Sequence, residues 1–215
     1  MGSVSVEGRR SAPAPCKDGY AEDLPVLAQE SFALAQGLCR DCDEFHALWP
    51  YLRIARKSRE VTAGIGVLES RLAQLFAAGA EQVALAGAGD TGLLSTVARA
   101  GAGRPRSIVA IDRCATPLEL CRRFAERWSL PVDILRQDLR DLDLEDRFDI
   151  VLAHSVLSFI AAPSRLDVLR RFNRSLRRGG RLVLKFNTGH PMAEPVAREY
   201  HYADTIIATL EGAGV

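Results

Sequence analysis

Hydrophobic positions recur with two different periods along this chain, and the change between them divides it. From Leu24 to Leu38 the apolar residues Leu27, Leu34 and Leu38 share one helical face. A second helical stretch covers Glu44 to Lys57, with Pro50 expected to break or restart it. A third, from about Arg59 to Ala77, carries Val61, Ile65, Leu68, Leu72, Leu75 and Phe76 on one side and stops at Gly79. Residues before these helices are polar and proline-bearing with no period, which predicts a flexible tail over 1–22 and a helical cap over 23–79.

From residue 80 onward short apolar runs alternate with helical periods. Val83–Ala86, with no polar interruption, reads as a strand buried on both faces, and Ser107–Ile111, Val132–Leu135, Phe148–Ala153 and Arg181–Phe186 read as further strands. Between and after them, Leu93–Ala100, Thr116–Trp128, Pro163–Arg177 and Pro195–Leu210 read as helices, and Gly179 with Gly180 turns the chain into the fifth strand. This alternation predicts an α/β, Rossmann-like parallel sheet over 80–215, and right-handed crossovers give it the order 3-2-1-4-5.

Composition narrows the picture only a little. A chain of 215 residues and net charge +1 can bury one full core, and its balance calls for neither nucleic acid nor an anionic membrane. With no apolar run of membrane-spanning length and no secretion signal, a cytoplasmic location is the default expectation. The five cysteines, at 16, 39, 42, 114 and 121, are an odd number and read as free thiols.

Ligands of such sheets bind beyond the carboxyl ends of the strands. The first strand there runs into Gly87, Ala88 and Gly89, with Gly92 opening a helix, so that backbone N–H groups can face a ligand at a helix start. The competing reading is a tight turn that holds nothing. Beyond the later strands stand Asp112 with Arg113, Gln137 with Asp138 and Leu139, and His154 with Ser155. Asp112 suits a ribose diol or a helix cap; Asp138 suits a ligand or the solvated acidic loop DLRDLDLED. His154 is the candidate general base, or a structural wall residue.

In the cap, Phe45, His46, Trp49 and Tyr51 form an aromatic group, with Trp49 and Tyr51 the candidate substrate contacts and ordinary core packing the alternative. Cys39-x-x-Cys42-x-x-x-His46 has metal-like spacing, but its fourth ligand would have to be Cys16 folding back from the tail. The sequence reading therefore assigns no metal, and takes Cys114 and Cys121 as small core residues.

The ordered set AGAGDTG, IVAIDR, RQDLRDL, FDIVLAHSVLSFI and LRRGGRLVLKF resembles the class I S-adenosylmethionine-dependent methyltransferases over residues 80 to 188. The resemblance implies S-adenosyl-L-methionine as cofactor, methyl transfer to a small-molecule acceptor, and no nucleic-acid partner. It places Gly87 and Gly89 against the methionine part, Asp112 on the ribose hydroxyls, Asp138 on the adenine amino group, and Ala153 and His154 beside the sulfonium. Three departures stand beside it. Leu85 occupies the position of the family's usual acid, the glycine spacing carries one residue more than GxGxG, and the last two strands of the family's sheet are absent. Either the chain is truncated or another subunit covers the strand-five edge, which leaves a homo-oligomer open.

The GxGxxG count and Asp112 also suit an NAD(P)-dependent oxidoreductase, against which stands the lack of a Tyr-x-x-x-Lys and of all but three lysines. A non-catalytic protein retaining the fold is the third reading.

Overall fold

The computed structural model describes residues 20–40, 42, 44–55, 64–101 and 107–185. Helices α1 (Leu24–Leu38), α2 (Phe45–Ala55) and α3 (Ile65–Ala77) precede the sheet. Asp23 caps α1 by accepting the Val26 N–H at 3.3 Å. Pro50 neither breaks nor restarts α2, but lies buried inside it. Proline at that position leaves the carbonyl of His46 without its helical donor, and the Ser31 hydroxyl of α1 donates to that carbonyl at 2.6 Å instead. The helix continues because its neighbour supplies the missing bond.

The sheet domain follows as β1 (Gln82–Ala86), α4 (Gly92–Ala100), β2 (Ser107–Asp112), α5 (Ala115–Trp128), β3 (Val132–Arg136), β4 (Phe148–His154), α6 (Ala162–Ser175) and β5 (Leu176–Lys185). All described pairings are parallel and the order is β3-β2-β1-β4-β5, as the pattern predicts. Two short 3-10 turns, Leu139–Asp141 and Val156–Phe159, follow β3 and β4 and carry no clear sequence signal.

The fifth strand begins earlier than expected. Phe148 pairs with Leu176 but Ile150 pairs with Arg181, so the intervening residues bulge from the ladder. A Cβ on Gly180 would lie 2.9 Å from the Arg177 carbonyl oxygen, so this glycine serves the bulge rather than a turn before the strand. Phe186, the helix expected over Pro195–Leu210 and the start of the third helical stretch lie outside the described residues.

Side chains of the central strands alternate between two apolar layers. Val83, Leu85, Ile108, Ala110, Ile150 and Leu152 face α3, α4 and α5 through Leu72, Phe76, Leu94 and Phe124. Ala84, Ala86, Val109, Ile111, Val151 and Ala153 face the other way, onto Leu142, Val168 and Phe172. Tyr20, which the sequence reading leaves in the tail, is 3% exposed. Its ring meets Trp128 edge-on at 5.5 Å and its carbonyl accepts the Ser95 hydroxyl at 2.6 Å. Among the described residues no helix is long and apolar enough to cross a membrane.

Candidate functional site

The turn after β1 hangs from β2. Gly87 and Ala88 both donate N–H to the Ile111 carbonyl, at 2.9 and 3.3 Å. Its three glycines answer three different demands. At Gly87, φ is +76° and a Cβ would lie 2.5 Å from Val156 Cγ2, so the 3-10 turn after β4 seats directly on it. At Gly92 a Cβ would press on Asp90 Oδ1 at 3.0 Å and Arg53 Nη2 at 3.3 Å. Gly89 differs: its φ is +65° and nothing lies within 4 Å of where its Cβ would be. Among these glycines, Gly89 is the one that leaves open space at the rim.

The acid of this turn comes from within the loop. Leu85, at the position of the family's usual acid, is fully buried in the core. Asp90 instead accepts the Gly92 N–H at 2.7 Å and pairs through Oδ2 with Arg53 at 2.7 Å. Arg53, from α2, also holds Glu22 through both nitrogens, at 3.1 and 2.6 Å, while Glu22 accepts the Thr91 hydroxyl at 2.5 Å. Burial pushes the Glu22 carboxyl up, but the bonds and charge of Arg53 outweigh it and hold the group below its usual range. Sequence reasoning missed this network because Glu22 fell in the tail and Arg53 in an undifferentiated helix face.

Asp112 ends β2 with 9% exposure. Its Oδ1 accepts the Cys114 N–H at 2.8 Å and its Oδ2 faces the Gly89 N–H at 3.4 Å, so it bridges the glycine turn and the start of α5. Arg113 beside it is exposed, and its carbonyl accepts Arg136 Nε at 3.1 Å. Farther along the rim, Gln137 donates its N–H to the Asp112 carbonyl at 3.0 Å and its side-chain amide to the Asp141 carbonyl at 2.8 Å. Asp138 caps the following 3-10 turn through the Arg140 N–H at 2.8 Å and pairs with the Arg140 guanidinium at 2.7 Å, which holds its carboxyl low. The Leu139 side chain is buried in the second core layer.

His154 closes β4 opposite Lys185, the last residue of β5. Burial first, and then the charges of Lys185 and Arg53, push its pKa down to about 4, so the ring is neutral near pH 7. Lys185 Nζ is buried without a hydrogen-bond partner among the described residues, and burial lowers its pKa. Of the cap's aromatic group, Phe45, His46 and Trp49 come together. Phe45 stacks on Trp49 at 5.4 Å and meets Phe159, beyond β4, at 5.2 Å. Trp49 and Tyr51 are half-buried.

The cysteines are arranged otherwise than the sequence suggests. Cys121 is a core residue, fully buried. Cys114 is not merely packing: its Sγ lies 3.5 Å from Cys39 Sγ and 3.8 Å from Cys42 Sγ. His46 Nδ1 lies 3.7 Å from Cys39 Sγ and 3.3 Å from Cys42 Sγ. Cys114 thus takes the place that spacing alone offered to Cys16, which lies outside the described residues.

A family model described as a methyltransferase domain matches residues 85–184. Carboxy-S-adenosyl-L-methionine synthase of Yersinia enterocolitica is 37% identical over 84 residues, covering 37% of this chain and 31% of that protein. The synthase of the same name from Pseudomonas putida is 30% identical over 149 residues, covering 66% of this chain and 58% of that protein. The matched part of the chain therefore spans less than two thirds of these relatives. Two solved structures share the fold. The N-methyltransferase NodS of Bradyrhizobium japonicum, bound to S-adenosyl-L-homocysteine, superposes with a TM-score of 0.52 at 15% identity, covering 85% of each chain. The 1,6-didemethyltoxoflavin-N1-methyltransferase of Burkholderia thailandensis gives a TM-score of 0.51 at 20% identity, covering 83% of this chain and 66% of that one.

Proposed function

We propose that the chain, whose residues 85–184 match a methyltransferase domain and whose sheet has the order β3-β2-β1-β4-β5, binds S-adenosyl-L-methionine along this rim and passes a methyl group to a small-molecule acceptor. The observation that carries the reading is the pairing of Gly89, whose Cβ side is open, with the Asp112 carboxylate that faces its N–H. Nothing bulkier than glycine would let a ligand lie against that backbone. Asp112, which accepts backbone donors on each oxygen, keeps lone pairs for a ribose diol.

When bound, the cofactor supplies a methyl group on a sulfonium, which is already a good leaving system. What remains for the protein is to bind, orient and exclude water. Gly89 cradles the amino-acid end and Asp112 fixes the sugar, while Gly87, covered by Val156, only shapes the turn. Asp138 takes the adenine amino group once Arg140 turns aside. The Glu22–Arg53–Asp90 network holds the glycine turn rigid from the cap side. Trp49 and Tyr51 wall the acceptor, and neutral His154 can accept a hydrogen bond from an acceptor hydroxyl or amine, its depressed pKa making it a weak base for full proton removal.

Lys185 favours a second reading. A buried cation beside His154 suits an acidic reactant, and the curated relatives are named for a carboxylated cofactor. On that reading the group is built on the cofactor itself rather than passed to an acceptor.

Calorimetry with S-adenosylhomocysteine and with NADH tests the proposal. Binding of the first alone supports it, binding of NADH alone overturns it in favour of an oxidoreductase, and binding of neither points to a non-catalytic fold. Mass spectrometry of the nucleoside left after turnover then separates methyl transfer from modification of the cofactor.

A further inference from the structure

Four potential ligand atoms meet where the cap joins the sheet domain: Sγ of Cys39, Cys42 and Cys114, and Nδ1 of His46, all within 4.8 Å of one another. They come from three separate places. Cys39 ends α1, Cys42 and His46 flank the start of α2, and Cys114 stands just ahead of α5. Chance packing of small apolar thiols does not require a histidine nitrogen to point into their midst, yet His46, 5% exposed, does so.

We propose that these four residues bind one zinc ion in a closed, structural site. Four of the six ligand–ligand edges match a tetrahedron closely, and the other two lie within 4.8 Å. Zinc–sulfur bonds of about 2.3 Å and zinc–nitrogen bonds of about 2.0 Å give sulfur–sulfur edges of roughly 3.8 Å and sulfur–nitrogen edges of roughly 3.5 Å. The chain shows 3.5 and 3.8 Å between sulfurs, and 3.3 and 3.7 Å between sulfur and nitrogen. On binding, the three thiols release their protons to solvent and His46 contributes a neutral lone pair. Thr116 Oγ1, 3.2 Å from Cys39 Sγ, is placed to donate its hydroxyl to that thiolate. Four protein ligands leave no open position, so the ion takes no part in chemistry. Its effect is to clasp the cap to the turn that carries Asp112.

Full-length protein purified without chelator should contain about one zinc per chain by elemental analysis. The Cys42→Ser and Cys114→Ser variants should retain only traces, and Cys121→Ala, outside the cluster, should keep its metal. Cobalt substitution of the wild-type chain requires no variant to fold, and should give the visible and thiolate charge-transfer bands of a tetrahedral site. Wild-type protein that is folded, metal-free, indifferent to added zinc in a melting scan and without cobalt–thiolate bands would overturn the proposal. So would a Cys39–Cys114 disulfide found by mass spectrometry in freshly purified protein. None of these measurements involves a nucleoside, so they succeed or fail independently of the cofactor reading.

Discussion

Asp112 Oδ1 accepts the backbone N–H of Cys114 at 2.8 Å, which makes the residue assigned to the ribose and a residue of the cysteine cluster two ends of one turn. Asparagine keeps an oxygen for that N–H, but it loses the charge and turns its amide NH2 toward the Gly89 N–H. Asp112→Asn should therefore melt somewhat below wild type but still fold, while its affinity for S-adenosylhomocysteine falls roughly 10- to 100-fold, the loss of about 1.5–3 kcal/mol of charge-assisted hydrogen bonding. Calorimetry beside a melting scan separates the two effects.

Arg53 neutralises two carboxylates that are largely out of water, with side-chain exposures of 11% for Glu22 and 6% for Asp90. Removing it strands both charges. Arg53→Met should cost about 3–5 kcal/mol in urea unfolding, and adding Glu22→Gln should recover part of that. An Arg53→Met chain as stable as wild type would mean that the network does not hold the cap to the glycine turn.

His154 gives stability a pH dependence whose sign follows from its depressed pKa of about 4. Unfolded, the ring titrates near 6.5. Between these values the unfolded chain binds the extra proton, so this contribution is fully present above about pH 6.5 and is lost as pH falls toward 4. The ring is not fully buried, so the loss is about 1–2 kcal/mol rather than the full value of the shift. His154→Gln should flatten the stability profile between pH 6.5 and 4 relative to wild type. An identical slope in both proteins contradicts the assignment.

Ser31 and Pro50 should be coupled. Ser31→Ala leaves the His46 carbonyl buried without a donor and should cost about 1–3 kcal/mol. In a Pro50→Ala background the restored N–H can make the ordinary helical bond, so the same Ser31→Ala change should cost appreciably less. Additive effects in the four-protein cycle would refute the compensation.

The sheet order is readable because the middle of each central strand is buried on both faces and so appears as an apolar run, as in Val83–Ala86 and Ile150–Ala153. The glycine turn was readable for a related reason: strand, glycines and helix lie in one local stretch. What escaped depends on separation along the chain. Cys39 and Cys114 are 75 residues apart, and nothing local distinguishes a cysteine that joins a cluster from one, like Cys121, that fills the core. The available hint was the position of Cys114, two residues beyond a rim carboxylate. The continuation of α2 through Pro50 is hidden from local sequence for the same reason, since its partner Ser31 sits on another helix. The roles of the three glycines were also beyond local pattern, because Val156 and Arg53 decide two of them.

Hydrogen–deuterium exchange with and without S-adenosylhomocysteine tests most directly whether the nucleoside lies on this rim. The account predicts slower exchange at residues 87–92 and 112–114 with the ligand present, and a change at 138–140 beside the adenine. In Gly89→Asn, whose side chain tolerates positive φ but fills the open space, that protection should disappear while exchange in the core strands is unchanged. Unaltered exchange at 87–92 and 112–114 under conditions where calorimetry shows the ligand bound would contradict it.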